Sequence, residues 1–372
     1  MATAVISDLH LGKAAGHDLL RRPELRARLF ERLAGADRLV LAGDIVELRE
    51  GPLRRAMAVA RPFFEELGRA FAGKPVTLLC GNHDHQLAAP LFEGLALDGS
   101  RARLGVQNTA PAAAGRGALA TLAEWAGPAE ITLAYPGVWV RDDVYVTHGH
   151  YMDWHNTMPT IEVLAIGVAQ RVVEHRARTA TTMTPGDYEA ILAPVYGLAY
   201  SLAQSAPEDR QLAGGGLSAR TWQRLNGGRG GLRSRIEGSL ARRAAVPAAV
   251  GALNRLGLGP LEPRLDAVAL RRAGLDSMRA VVAALGIEAR HVVFGHTHRS
   301  GPWLERDETE GWDLPGGGRL WNSGSWIHEP AFLGTDALAS PYFPGVIVWI
   351  PDGDGPPRPE RLLEARDLTP RT

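Results

Sequence analysis

The sequence predicts an α/β fold, and three observations point to it. Short β-rich runs alternate with amphipathic stretches over the first eighty residues. Polar blocks of Asp, Asn and His follow the apolar runs. A long Ala- and Arg-rich stretch of helical character separates the fourth block from the last. The first runs are residues 2–7, 38–42 and 75–80. Between them, 22–33 places Leu25, Leu29, Phe30 and Leu33 on one helical face, and 53–71 does the same with Met57, Phe63, Phe64 and Leu67. Strand, helix, strand, helix, strand is the order of a sheet covered by helices. In such sheets ligands collect at the carboxyl ends of the strands, where these blocks stand.

Further along, 85–130 is less regular, and the small residues of 110–117 read as a loop. Runs at 131–134, 138–140, 143–147, 291–294, 319–322 and 345–350 read as strands, followed by a Pro-rich tail at 353–372. The stretch 151–285 reads as a helical insertion, with helices at about 160–179, 187–204, 218–226, 232–257 and 264–285. Thr184-Pro185-Gly186-Asp187 has the form of a capping box opening the second of these. The core then comprises 1–150 and 286–352, with the insertion as a cap.

A chain of 372 residues is long for one compact domain, which fits a core with an insertion. Its 41 basic and 41 acidic residues cancel, so no global field draws it to nucleic acid or an anionic membrane. The single cysteine, Cys80, excludes a disulfide within the chain and reads as a buried strand residue. The chain has no uncharged apolar run of membrane-spanning length and no signal-peptide pattern at Met1, so a cytoplasmic protein is expected.

The chemistry lies in five blocks: Asp8-Leu9-His10, Gly43-Asp44-Ile45-Val46-Glu47, Gly81-Asn82-His83-Asp84, His148-Gly149-His150 and Gly295-His296-Thr297-His298. Alternate residues at a strand end share a side, so Asp8 with His10, and His296 with His298, can reach one ion. A carboxylate bridges two ions more readily than an imidazole, which makes Asp44 the natural bridge. Asn82 adds a neutral oxygen. Mixed nitrogen and oxygen donors in this number suit two adjacent metals, and hence hydrolysis, most often at phosphorus. Lys13 and Arg299, beside ligands, are candidates to hold phosphate. His150, Asp153 and His155 are candidates for substrate contact or ligand support, Trp154 and Trp326 for the pocket wall, and His85 is expected at the rim. The insertion's arginines, between 171 and 243, read as a solvated face or as a cap gripping an anionic substrate or a membrane surface.

In this order the blocks resemble the calcineurin-like metallophosphoesterase superfamily over 1–150 and 286–350. The resemblance implies a four-layer α+β fold, a sandwich of two mixed β-sheets flanked by helices. It implies two divalent ions, manganese first, with iron or zinc as alternatives. One ion would take Asp8, His10, Asp44 and His298, and the other Asp44, Asn82, His148 and His296. His83 would donate a proton to the leaving group, oriented by Glu47 or Asp84. The turn Trp321-Asn322-Ser323-Gly324-Ser325 is similar to one that many members carry. Leu48 stands where protein serine/threonine phosphatases place a phosphate-binding Arg, which argues against that activity. The opening Ser7-Asp8-Leu9-His10-Leu11-Gly12, the Glu at 47, the helical insertion and Gly295-His296-Thr297-His298-Arg299 are similar to the UDP-diacylglucosamine pyrophosphatase branch. That branch has Arg where this chain has His83, and its insertion holds acyl chains. The implied substrate is a small phosphodiester or pyrophosphate, lipid- or nucleotide-linked, with nucleic acid disfavoured and peripheral membrane contact open. A phosphomonoesterase or nuclease would use the same residues. A non-enzymatic scaffold would be expected to have lost ligands, and none is missing.

Overall fold

A computed structural model describes residues 2–97, 99, 104–156, 182–205, 267–303, 311–334 and 336–368. Its strands are β1 (Thr3–Ile6), β2 (Arg38–Ala42), β3 (Pro75–Leu79), β4 (Gln107–Pro111), β5 (Glu130–Arg141), β6 (Val144–Thr147), β7 (His291–Phe294), β8 (Ser300–Gly301), β9 (Asp313–Leu314), β10 (Gly318–Ser323), β11 (Val346–Ile350) and β12 (Arg358–Arg361). Its helices are α1 (Pro23–Leu33), α2 (Leu53–Ala70), α3 (Ala89–Leu97), α4 (Ala118–Ala126), α5 (Met152–His155), α6 (Pro185–Gln204), α7 (Ala267–Ala284) and α8 (Pro330–Leu333).

The strands form one continuous mixed sheet in the order β12-β11-β1-β2-β3-β5-β6-β7-β10-β8, with β4 beside β5 and β9 beside β10. This corrects the expectation of two separate sheets. The cause lies in β5, which runs through the Pro136-Gly137 pair that reads as a break between two short strands. Up to Pro136 it pairs with β3 and β4, and from Gly137 onward with β6. Pro136 has no N–H for the ladder, and a side chain at position 137 would meet Tyr145 and the Val146 carbonyl, so the strand changes partners there. The sheet curls until Ser7, just past β1, meets Ser323 of β10 with Oγ atoms 2.7 Å apart. Between the two halves lies an apolar filling that includes Val5, Val40, Leu79, Val146, Val293 and Trp321.

The outer faces carry the helices. Leu25, Leu29 and Leu33 of α1 and Phe63, Phe64 and Leu67 of α2 are buried, as their helical spacing predicts. Truncating a fully buried aromatic leaves a cavity the backbone cannot close. Phe64→Ala is therefore expected to lower the unfolding free energy by about 3–5 kcal/mol, read as a lower urea midpoint at unchanged slope. Two readings from the sequence change. Residues 110 and 111, the start of the expected loop, are instead the end of strand β4, because they pair with β5. The Pro-rich stretch after Ile350 returns to the sheet as β12, antiparallel to β11.

Within 151–285, helix α6 opens with the expected capping box: the Asp187 amide donates to the Thr184 hydroxyl at 3.2 Å, and the Thr184 amide to Asp187 Oδ2 at 2.8 Å. Helix α7 matches the last expected helix. The helices expected at 160–179, 218–226 and 232–257, and the arginines between 171 and 243, lie outside the described residues. No described helix is long and apolar enough to cross a membrane.

Candidate metal centre

All seven residues expected as metal ligands meet at the carboxyl ends of β1, β2, β3, β6 and β7. The loops after β1 and β2 continue the strand pairing, with Asp8 N–H donating to the Gly43 carbonyl at 3.0 Å and His10 N–H to the Asp44 carbonyl at 2.8 Å. That register sets Asp8 and His10 beside Asp44. The loops after β6 and β7 are tied in the same way, Gly295 N–H donating to the His148 carbonyl at 2.9 Å.

The backbone here is strained. Among the described residues, the non-glycine positions with positive φ are Asp8 (54°), His10 (45°), Asp44 (53°), His296 (66°) and His298 (57°), all five of them expected ligands. Each such conformation costs about 1–3 kcal/mol and persists only where its surroundings impose it. Asp and His tolerate it better than most side chains. Gly81 serves proximity instead: a Cβ there would run into the Asp44 carboxylate and lie 2.6 Å from His148 Nε2.

Two donor clusters result, with Asp44 between them. In the first, His298 Nε2 lies 3.2 Å from Asp8 Oδ1 and 3.3 Å from His10 Nε2, and His10 Nε2 lies 3.6 Å from Asp44 Oδ2. In the second, His148 Nε2 lies 3.4 Å from Asp44 Oδ2 and 3.3 Å from Asn82 Oδ1, which is 3.1 Å from His296 Nδ1. Asp8, His10 and His298, and likewise Asp44, His148 and His296, hold ligand atoms within 4.8 Å of one another. His83 approaches His10 and Asp44 within the same limit.

The second nitrogen of each ring shows which one faces inward. His10 Nδ1 is 2.9 Å from Glu47 Oε2, His148 Nδ1 is 2.9 Å from the Ala42 carbonyl, and His296 Nε2 is 2.8 Å from Asp153 Oδ1. Those partners take the ring N–H and leave the other nitrogen's lone pair facing oxygen atoms or a second lone pair. Lone pairs facing lone pairs call for a cation, and the donor set fits a divalent one. Asn82 agrees in the orientation that turns Oδ1 inward. The reversed amide would instead accept from Arg49 Nη1 at 2.8 Å and donate to Asp44.

The electrostatics point the same way. Burial disfavours charge on Asp44, but the rings of His148, His83 and His10 outweigh it and hold its carboxyl well below the usual range. Burial also opposes charge on His148, yet Asp44 and Asp8 push its ring up to about 10. The oxygens around His148 Nε2 thus demand positive charge, which a metal supplies in place of a proton.

Glu47 is buried behind this centre and joins His10 to His83, with Oε1 2.9 Å from His83 Nδ1 and Oε2 2.9 Å from His10 Nδ1. The His83 side chain is 23% exposed and reaches the adjoining pocket. Burial lowers the pKa of its ring, but Glu47 and Asp44 outweigh burial and raise it. Asp84 points elsewhere. Its carboxylate accepts from the amides of Gly81 (2.7 Å), Ile45 (2.7 Å) and Asp44 (3.2 Å), bracing the loop that carries Asp44. Glu47, not Asp84, is the group at the His83 ring.

The remaining candidates separate. Arg299 lines the pocket, its guanidinium 4.6 Å above the Trp312 ring. Lys13 is buried between Glu50 (3.1 Å) and Glu329 (3.5 Å). His150 is buried behind His148, its Nε2 2.9 Å from the Tyr135 hydroxyl. Trp154 and Trp326 are fully buried, and Trp312 takes the wall position expected of them. His85 lines a small pocket beside Asn82 and His83, and its Nε2 reaches inward to Glu189. Asp153, a candidate for substrate contact or ligand support, braces His296. Sequence reasoning missed Glu189, Tyr135 and Arg271, for which no local motif exists.

Residues 1–179 match the family model of the calcineurin-like phosphoesterases. Comparison with curated proteins finds no match. The matched span carries the first four blocks, and the structure brings His296 and His298 of the fifth onto the same two donor clusters. The family match over residues 1–179, just under half of the 372-residue chain, indicates a metal-dependent phosphoric ester hydrolase.

Proposed function

We propose that the chain hydrolyses a phosphodiester or pyrophosphate bond at a centre of two divalent cations. Asp8, His10, Asp44 and His298 hold one ion, and Asp44, Asn82, His148 and His296 hold the other. The observation that carries this is the pair of donor clusters sharing Asp44. Bound by these residues, two cations would supply an activated water and neutralising charge for phosphoryl oxygens. His83 hands a proton to the leaving oxygen, and Glu47 holds its ring and favours its charged form. The evenly mixed nitrogen and oxygen donor set suits manganese, and iron or zinc would also fit.

The pocket supports a substrate with two different parts. It has a volume of about 300 Å³ and opens from Asp44, Asn82, His83, His296 and His298. Met152, Leu275, Phe294 and Phe332 give it an apolar wall, while Arg271 and Arg299 add two cationic groups. A phosphate monoester has its charge met by the cations alone. Extra arginines suit a second phosphate, and the apolar wall suits a lipid- or aryl-bearing substituent, as in the UDP-diacylglucosamine pyrophosphatase branch. The buried free thiol of Cys80 suits a reducing compartment such as the cytoplasm.

The test compares bis-p-nitrophenyl phosphate, p-nitrophenyl phosphate and a pyrophosphate diester with manganese present. Turnover should favour the diester and pyrophosphate substrates. Arg299→Ala should raise KM for the pyrophosphate about tenfold, the loss of roughly 1.4 kcal/mol of binding, and leave the simple diester unchanged. Faster turnover of the monoester, with no effect of Arg299→Ala on any substrate, would make the chain a phosphomonoesterase.

A further inference from the structure

Helix α6 sends one carboxylate into the interior beside the metal centre. Glu189 is only 5% exposed. It accepts from the Tyr135 hydroxyl at 2.5 Å and the Tyr151 hydroxyl at 2.7 Å, and its Oε2 lies 2.8 Å from His85 Nε2. A buried carboxylate is tolerated only when donors compensate its charge, and these three come from three separate segments. Because the Tyr135 proton goes to Glu189, the same hydroxyl accepts from His150 Nε2 at 2.9 Å, which fixes the His150 ring proton on that nitrogen. His150 Nδ1 is then the bare acceptor, in keeping with its having no hydrogen-bond partner.

Each tied segment leads to the same one of the two donor clusters. His85 lies in the turn that carries Asn82. Tyr151 follows His148 on the same loop and precedes Asp153, whose Oδ1 is 2.8 Å from His296 Nε2. The Tyr135–His150 pair backs His148, whose ring centroid is 5.6 Å from that of His150. The other cluster is braced from elsewhere. Glu47 holds His10, while Ser7, itself bonded to Ser323, donates to Asp8.

We infer that Glu189 is a positioning residue for one cation only, the ion held by Asn82, His148 and His296 with Asp44. Through Glu189, helix α6 thus enters the support of half the metal centre. This rests on the two-metal reading above, and the experiment separates the two.

Manganese is titrated into the metal-free full-length wild type, Glu189→Gln and Tyr151→Phe. Bound ion is read by elemental analysis after equilibrium dialysis, and pairing of the ions by the exchange-coupled electron paramagnetic resonance signal. Wild type should bind two ions and show the coupled signal. Glu189→Gln should keep one tight ion and weaken the other about 10–100-fold, the range for losing a partner behind a metal ligand, and the coupled signal should vanish at low manganese. Tyr151→Phe, which removes a single hydroxyl, should do the same more mildly and serves if Glu189→Gln does not fold. Glu47→Gln should give the opposite selection by loosening His10. Equal weakening of both ions by Glu189→Gln and Tyr151→Phe, or of neither, would overturn the inference while leaving the two-metal reading intact. A wild type that binds a single ion would defeat the two-metal reading itself.

Discussion

Asp44→Asn is expected to release both cations and to lower turnover of a phosphodiester by at least about 10²–10³-fold, the loss typical of removing one strong electrostatic stabiliser. One oxygen, Asp44 Oδ2, faces His10 Nε2 at 3.6 Å in one cluster and His148 Nε2 at 3.4 Å in the other. Asn keeps the shape, and its oxygen can still accept from the His83 amide, 2.8 Å from Oδ1 in the wild type. With the oxygen held there, the amide NH2 takes the place of Oδ2 between the two clusters, and since it offers no lone pair to a cation the shared ligand is lost. Asp44 also raises the Asp84 carboxyl, to about 6 together with burial, so removing its charge relieves a repulsion. Against that relief, the rings of His148, His83 and His10 that hold the Asp44 carboxyl low lose their partner, so the metal-free variant should melt lower than the metal-free wild type, and the stabilisation gained on adding manganese should disappear. Elemental analysis, a bis-p-nitrophenyl phosphate assay and melting curves with and without manganese test this. A variant that retains two ions per chain and the wild-type rate would refute the shared-ligand scheme.

His83→Ala is expected to give a different phenotype. Both ions should stay bound, since His83 is outside the two four-residue sets. Substrates that leave as alkoxides or phosphates needing a proton should slow by about 10²–10⁴-fold. Diesters that expel p-nitrophenolate, which leaves without a proton, should change little. The pH profile sharpens the test. Burial works against the charged ring of His83, but Glu47 and Asp44 prevail and raise it above the ordinary value of about 6.5. The charged ring is the donor, so the rate on poor leaving groups should hold through neutral pH and fall as pH rises through the raised value. Glu47→Gln removes the largest upward influence and should move that fall to lower pH. An alkaline limb that is the same in wild type and His83→Ala would assign the proton to another group.

The donor set was legible because metal chemistry restricts residue type, and a strand end restricts spacing. Asp8 with His10, and His296 with His298, read as pairs from their spacing because alternate residues at a strand end share a side. The supporting groups were not legible. Asp153 and Glu189 are ordinary acids in sequence and acquire meaning only from the rings that tertiary structure sets before them. Lys13 shows the converse: position beside His10 suggested a phosphate contact, but Glu50 and Glu329 capture its ammonium. The fold followed the same division. Strands marked by β-branched runs were placed within a residue or two, whereas the passage of β5 through Pro136-Gly137 depends on which strand lies beside each half, a fact no local window contains.

The separation of the donors along the chain has a consequence for biosynthesis. Asp8 and His298 are 3.2 Å apart in space but 290 positions apart in sequence (298 − 8). At roughly 5–20 residues per second, a ribosome that has just exposed Asp8 needs about 15–60 s more to deliver His298. Throughout that interval the nascent chain offers at most three of the four ligands of either set. Completion of both sites is consequently a late event, and the first half of the sheet forms before either donor set is whole.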